Sequence, residues 1–184
     1  MVIDFRPMAE SASEAEAIVQ FLTSNSFPFH MTAQHTAESA RETVDSGRFW
    51  SAESAGWWIL ADAETVGMVV LDDLEDDTPM FDLRLAEDFR GRGLGPQILK
   101  ALCSLVFETY PEPVRFEGQT REDNIAMRKT FVRSGFLKEA HYRLGWPAAD
   151  GTRVASVAYA ILRQDWENNE TTPFEWDDLR QLSG

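Results

Sequence analysis

Two hydrophobic periods alternate along the chain. "IDFRPM" near the N-terminus has the make-up of a first strand. Ile18, Val19 and Leu22 then fall on one face of a helix that Ser11 or Ser13 caps and that runs to about Thr23. "NSFPFHMT" reads as a loop, and a second helix covers roughly residues 37–46. "GWWILAD" and "TVGMVVLDDL" are rich in β-branched and aromatic residues and predict paired strands. "MFDLRLA" alternates strictly, with Phe81, Leu83 and Leu85 on one side and Asp82 and Arg84 on the other. Helical spacing returns from about Gly95 to Tyr110, where Pro111 and Pro113 stop it. "VRFEGQT" is a strand, and "EDNIAMRKTFVRSGF" a helix that ends on Gly135 in a C′ position. "LKEAHYRLGW" and "RVASVAYAILRQDW" read as two late strands joined through a turn at Asp150-Gly151. The order is mixed α and β, with a strand-helix-strand-helix-strand centre.

The 184 residues are enough for one domain with a real core. We expect that domain to span 1–168, with residues 169–184 as an acidic tail. Cys103 stands alone, so the chain has no internal disulfide and no thiolate zinc site. It lies between Leu102 and Leu105, as a packing residue would. The first ten residues lack the basic and apolar regions of a secretory signal, and no apolar run approaches the ~18 residues that span a bilayer. A cytoplasmic protein without a membrane partner or a metal is expected.

A net charge of −14 argues against a nucleic-acid partner. Its distribution is uneven. Residues 1–83 hold 3 basic against 16 acidic side chains, residues 84–164 hold 13 against 9, and residues 165–184 hold 1 against 6. An anionic ligand suits the basic middle. The acidic first segment either draws in a cationic partner or serves only solubility.

The basic middle contains "RGRGLGPQILKAL". Three glycines follow a strand and open a helix. The first amides of a helix lack partners, and its dipole adds partial positive charge. Glycine lets the backbone curl and lets an anion approach without a Cβ in the way. Arg90 and Arg92 add full positive charge. The stretch is fit for phosphate or pyrophosphate, although two glycines at this spacing also suit a plain turn with solvated arginines. A nucleoside-triphosphate loop would end in Gly-Lys-Ser/Thr, and this one ends Leu94-Gly95-Pro96. A dinucleotide fingerprint belongs near the first strand, and this stretch follows about four.

"FDLRLAEDFRGRGLGPQILKAL" followed by "VRFEGQTREDNIAMRKTFVRSGFLKEAHYR" resembles the core of the GNAT superfamily of acyl-CoA-dependent N-acyltransferases. The loop Arg90-Gly91-Arg92-Gly93-Leu94-Gly95 fits the family pattern Gln/Arg-x-x-Gly-x-Gly/Ala. Asn124 after the next strand and the closing Gly135-Phe136 fit its second signature. The late "DGTRVASVAYAILRQDW" is similar to the closing strand of the subgroup holding ribosomal-protein N-terminal, antibiotic and polyamine acetyltransferases. The resemblance implies a twisted mixed sheet of about six to seven strands, helices on both faces, and two splayed central parallel strands. It divides the domain into a variable substrate-side part, 1–64, and a cofactor-binding core, 65–166. It implies acetyl-CoA as cosubstrate: the backbone of Leu83 and Leu85 against the pantetheine, residues 90–95 on the pyrophosphate, Asn124 on the pantetheine or the acyl carrier region, and Arg128 reaching the nucleotide phosphates. Read without the family, Asn124 is a helix cap.

The implied reaction is direct attack of an amine on the thioester in a ternary complex. The amine must lose a proton to a base, and the developing oxyanion needs a donor. Asp82 is the first candidate for the base and Glu117 the second, with an Asp82–Arg84 ion pair as the plain alternative for Asp82. Phe29, His30, Trp58 and Asp72 are candidates for the acceptor pocket, and the acceptor is a cationic small molecule or a peptide amino terminus. Many family members carry a Tyr as general acid where this chain has Phe131. The alternative function is a non-catalytic acyl-CoA-binding or regulatory module on the same fold. Either a monomer or a homodimer fits.

Overall fold

In the computed structural model, residues 1–148 and 150–176 are described. The element order is β1 (Ile3–Pro7), α1 (Ala12–Ser24), α2 (Ala37–Asp45), β2 (Ala55–Ala61), β3 (Glu64–Asp72), β4 (Met80–Leu85), α3 (Gly95–Thr109), β5 (Arg115–Arg121), α4 (Ile125–Arg133), β6 (Leu137–Pro147), β7 (Arg153–Leu162) and α5 (Arg163–Asn168). Ser11 caps α1 by accepting from the Glu14 amide, and Thr36 and Ser39 close a capping box on α2.

One mixed sheet holds all seven strands in the order β1-β2-β3-β4-β5-β7-β6. Every neighbouring pair is antiparallel except the central β4 and β5. The hydrophobic alternation of β3 and β4 divides two cores. Val69, Leu71 and Phe81 pack against Ile98, Leu99, Leu102 and Val106 of α3 and Phe131 of α4. Met68, Val70 and Trp58 point the other way, against Ile18 and Leu22 of α1 and Ala40 and Val44 of α2. Asp82 and Arg84 therefore face the α1–α2 side, and Leu83 and Leu85 the α3 side.

The last strand is shorter than its sequence suggests. "RQDW" is not strand: β7 ends at Leu162 and α5 begins. The Arg163 guanidinium donates to the carbonyls of Phe107, Tyr110 and Pro113, and Trp166 packs its ring on Phe107 at 5.3 Å. These contacts turn the chain back onto the end of α3. The expected tail falls partly within the described residues, where Thr172 donates from its backbone and hydroxyl to Asp165. Residues 177–184 and Ala149 lie outside them.

Candidate active site

The centre of the sheet opens as the parallel pair diverges. β4 and β5 register only at Met80 and Glu117, beside a backbone bond from the Glu117 amide to the Pro79 carbonyl at 3.1 Å. Beyond that point the strands separate. Two adjoining cavities fill the opening: a groove of about 410 Å³ on the glycine-loop side and a polar cleft of about 520 Å³ beneath α2. Phe29, His30, Leu83, Arg84, Asn124 and Met127 line both.

The glycines divide the loop's work. Gly91 and Gly93 have φ of +73° and +78°, and a Cβ built on either meets nothing within 4 Å. They meet a backbone requirement that few L-residues tolerate, and they leave the space above the loop open. At Gly95 a Cβ would stand 2.7 Å from Thr130 Oγ1, so this glycine lets α3 approach α4. Among the described residues, the amides from Gly91 to Gly95 donate to no protein acceptor. α3 has no side-chain cap and carries Pro96 in its first turn. Unpaired amides at a helix N-terminus, with no Cβ above them, fit an anion.

The cations differ from the sequence expectation. Arg90 does not face the groove with a free guanidinium: Nε and Nη2 donate to the Leu85 carbonyl at 2.9 and 2.8 Å, and Nη2 also donates to the Ser26 carbonyl at 2.6 Å. It clamps the 25–31 loop to β4. Arg92 lies over the Phe89 ring at 5.1 Å, outside the groove lining. Arg128 turns the other way, donating to Tyr159 Oη at 3.2 Å and the Glu122 carbonyl at 2.7 Å. The basic side chains that line the groove, besides Arg84 and Arg90, are Lys129 and Arg133 of α4. Helical periodicity hides them in the sequence, because Lys129 adjoins Arg128 but points some 100° away from it. Asn124 is the helix cap that its position predicts, and it also faces the opening. Its Oδ1 caps α4 by accepting from the Met127 amide, its Nδ2 donates to Thr120 Oγ1, and it lines both cavities.

On the cleft side, Asp82 sits at the centre of a charged cluster. Its Oδ1 accepts from His30 Nε2 at 3.0 Å and Arg84 Nε at 3.2 Å; its Oδ2 accepts from Arg84 Nη2 at 3.0 Å and Arg48 Nη1 at 3.2 Å. Burial alone would raise the Asp82 pKa, but the His30 hydrogen bond and the Arg84 charge hold it well below the usual carboxylate range. A carboxylate with four donors is a fixed anion, so the structure does not support Asp82 as the base itself. Glu117 is corrected too. It pairs with Arg115 at 3.0 Å, accepts from Gln119 Nε2 at 3.1 Å, and does not line the cleft. Trp58 is 4% exposed in the second core, its indole N–H donating to Glu14, and it lines neither cavity. Asp72 lines the cleft but is held by Arg48 Nε at 3.1 Å and Nη2 at 2.6 Å. Among the described residues the Asp73 carboxylate at the same wall has no partner, and its backbone is left-handed at φ 57°.

Sequence reading missed Arg48 and Trp146. Arg48 follows α2 in an acidic segment, and only the fold carries it onto β4. Trp146 Nε1 and His30 Nδ1 are both buried without a hydrogen-bond partner among the described residues, and both residues line the cleft. His35 lines it too. Its Nε2 accepts from Arg84 Nη1 at 3.2 Å, and burial and then the Arg84 charge lower its pKa. Phe131, where a family Tyr would stand, is fully buried and stacked on Tyr159 at 4.7 Å, with no proton to give.

A family model for the acetyltransferase (GNAT) domain matches residues 3–137. The chain belongs to the GNAT acetyltransferase family. It is accordingly an acetyl-CoA-dependent N-acetyltransferase. No curated protein matches this acetyltransferase in sequence. Solved structures share its fold. Spermidine N-acetyltransferase from Vibrio cholerae, in complex with CoA and spermine, superposes with a TM-score of 0.75 at 13% identity over 90% of this chain and 98% of its own. The Salmonella typhimurium enzyme that modifies the N-terminal serine of ribosomal protein L7/L12 gives 0.72 at 20% identity, over 88% and 95%. Aminoglycoside acetyltransferase AAC(6')-Ib in complex with coenzyme A gives 0.73 at 18%, over 91% and 98%.

Proposed function

We propose that the acetyltransferase binds acetyl-CoA in the groove between β4 and β5 and transfers its acetyl group directly to a cationic amine held in the polar cleft. The observation that carries this reading is the set of unpaired amides from Gly91 to Gly95 at the mouth of a splayed parallel pair. The amides take the pyrophosphate, and Lys129 and Arg133 face it across the groove. Leu83 and Leu85, on the strand edge that β5 leaves, lie along the pantetheine, and Asn124 stands where the arm passes into the cleft. A backbone N–H beside Leu85 serves the oxyanion.

The cleft fits a cation. Arg48 and Arg84 balance Asp72 and Asp82, which leaves Asp73 uncompensated on its wall among the described residues. Solved relatives in fold carry spermine or act on a protein N-terminal serine, and both acceptors present an ammonium group. The domain reads as a substrate side, 1–64, closed over a cofactor core, 65–166. Thiol release from acetyl-CoA, followed with spermine, a serine-initiated peptide and an aminoglycoside, tests the reading. Turnover with at least one of them is expected, and acetyl-CoA binding without any transfer would favour a non-catalytic acyl-CoA-binding module.

A further inference from the structure

We propose that Arg48 sets the charge of the acceptor: the cleft takes an amine with one ammonium group and discriminates against polyamines. The inference rests on the acetyltransferase reading above and narrows its acceptor class.

Asp72 and Asp82 are diagonal neighbours on one face of the sheet. Val70 pairs with Asp82 and Asp72 with Met80, so both carboxylates stand on the cleft side of β3 and β4. Left alone they would repel one another and make a doubly anionic floor suited to a polycation. Arg48 occupies that place. Its Nε and Nη2 donate to the two oxygens of Asp72 at 3.1 and 2.6 Å, and its Nη1 donates to Asp82 Oδ2 at 3.2 Å. A planar fork that grips one carboxylate at two points and reaches a second is a fixed part of the wall. Its backbone is set independently of the carboxylates. Gly47 turns the chain after α2 at φ +78°, the buried Phe49 anchors the next position, and the Arg48 carbonyl accepts from the Ser54 hydroxyl at 2.7 Å. An incoming ammonium would have to displace the fork to reach Asp72.

Among the described residues, the permanent charges that line the cleft are Asp72, Asp73 and Asp82 against Arg48 and Arg84. Three anions and two cations leave one negative charge. His30 and His35, the other titratable groups of the lining, can add positive charge only, so the deficit never exceeds one. Asp82 is taken up by Arg84, Arg48 and His30, and Asp72 by Arg48. The remaining charge therefore sits on Asp73, which is exposed at the wall. Glu75, Asp76 and Asp77 follow in the same loop without lining the cleft, so they draw cations from solution but do not hold them inside. One ammonium neutralises the cleft. Each further ammonium of a polyamine enters without a carboxylate to receive it and beside two guanidiniums of like charge.

Thiol release from acetyl-CoA tests the proposal with two acceptors: a serine-initiated peptide amide with uncharged side chains, which carries one ammonium, and spermine, which carries several. Wild type is expected to favour the peptide in kcat/KM by ~10-fold or more, the scale of one like-charge contact. A preference for spermine would overturn the proposal. Arg48→Met frees two carboxylates and is expected to move that ratio toward spermine by ~10-fold or more. Arg48→Met combined with Asp72→Asn brings the cleft back to one net negative charge, and the ratio should return toward the wild-type value. A ratio unmoved by Arg48→Met, or moved and not restored by the second change, would show that Arg48 does not act through charge. Should Arg48→Met fail to fold, Asp73→Asn carries the test, because Asn tolerates the left-handed backbone at φ 57°. It is expected to raise the peptide KM ~3-fold or more, with a smaller effect on kcat; an unchanged KM would overturn the assignment of the remaining charge. Failure of wild type to bind acetyl-CoA, or to turn over either acceptor, would instead sink the acetyltransferase reading beneath it.

Discussion

Asp82 shows how one residue can be located from sequence and still be misread. The alternation of "MFDLRLA" puts it on the polar face of β4, and the structure finds it there. Its surroundings are set by three residues: Arg84, a neighbour on the same strand, and Arg48 and His30, which come from distant segments and are not visible from the sequence. Asp82→Asn should therefore act on stability as well as on rate. Removing one partner of a buried ion cluster costs about 3–5 kcal/mol, and two guanidiniums lose their anion here. A fall in the urea midpoint is expected alongside a loss of kcat; a variant as stable as wild type would contradict the geometry. Phe131→Tyr is the complementary experiment. The ring's Cζ would stand 2.8 Å from a Cβ at Gly118, so an added hydroxyl meets β5 with no partner in view. A loss of about 1–3 kcal/mol without a gain in kcat is expected, whereas a rate increase would mean the position reaches the thiolate.

At the scale of elements, helix and strand positions were legible because each buries one face. Ile18, Val19 and Leu22 of α1 and the alternation of β3 and β4 all carry the period of their element. What was not legible is how loops commit their polar side chains. The two arginines of "RGRGLG" look like phosphate ligands, yet Arg90 bridges the Leu85 and Ser26 carbonyls. Glu87 completes the strap by accepting from the Ser26 amide and hydroxyl, both at 2.6 Å. The 25–31 loop and the start of the glycine loop are thereby tied together. Arg90→Lys replaces a planar fork with a point charge that cannot serve both carbonyls. Acetyl-CoA affinity and kcat are both expected to fall in that variant; a change in affinity alone would mean Arg90 contacts phosphate and ties nothing else.

For the whole molecule, charge is segregated by sequence and brought together by the fold. The acidic first 83 residues supply Asp72, Asp73 and Asp82 to the cleft, while the basic middle supplies Lys129 and Arg133 to the groove. Stability follows pH accordingly. His35 has a folded pKa below its ordinary 6.5, so the unfolded chain binds a proton that the folded chain refuses. Its contribution is full above about pH 6.5 and declines as the pH falls through that value. Asp82 adds a loss at lower pH, present above the ordinary carboxylate range near 4 and lost as pH falls through its depressed folded value. Urea midpoints at pH 7.5 and 5.5 should differ less in His35→Gln than in wild type; an equal difference would place the linkage elsewhere.

The most direct test of the central claim is calorimetric titration of the intact protein with acetyl-CoA, CoA and ATP, beside the same titrations of Gly93→Glu. The side chain of that variant enters the open space over the loop from a backbone at φ +78° and brings a negative charge to the unpaired amides. Wild type is expected to bind both CoA forms and not ATP, and Gly93→Glu to bind neither form while remaining folded. Binding of acetyl-CoA that survives Gly93→Glu would contradict the assignment of the loop, and no binding by wild type would contradict the account as a whole.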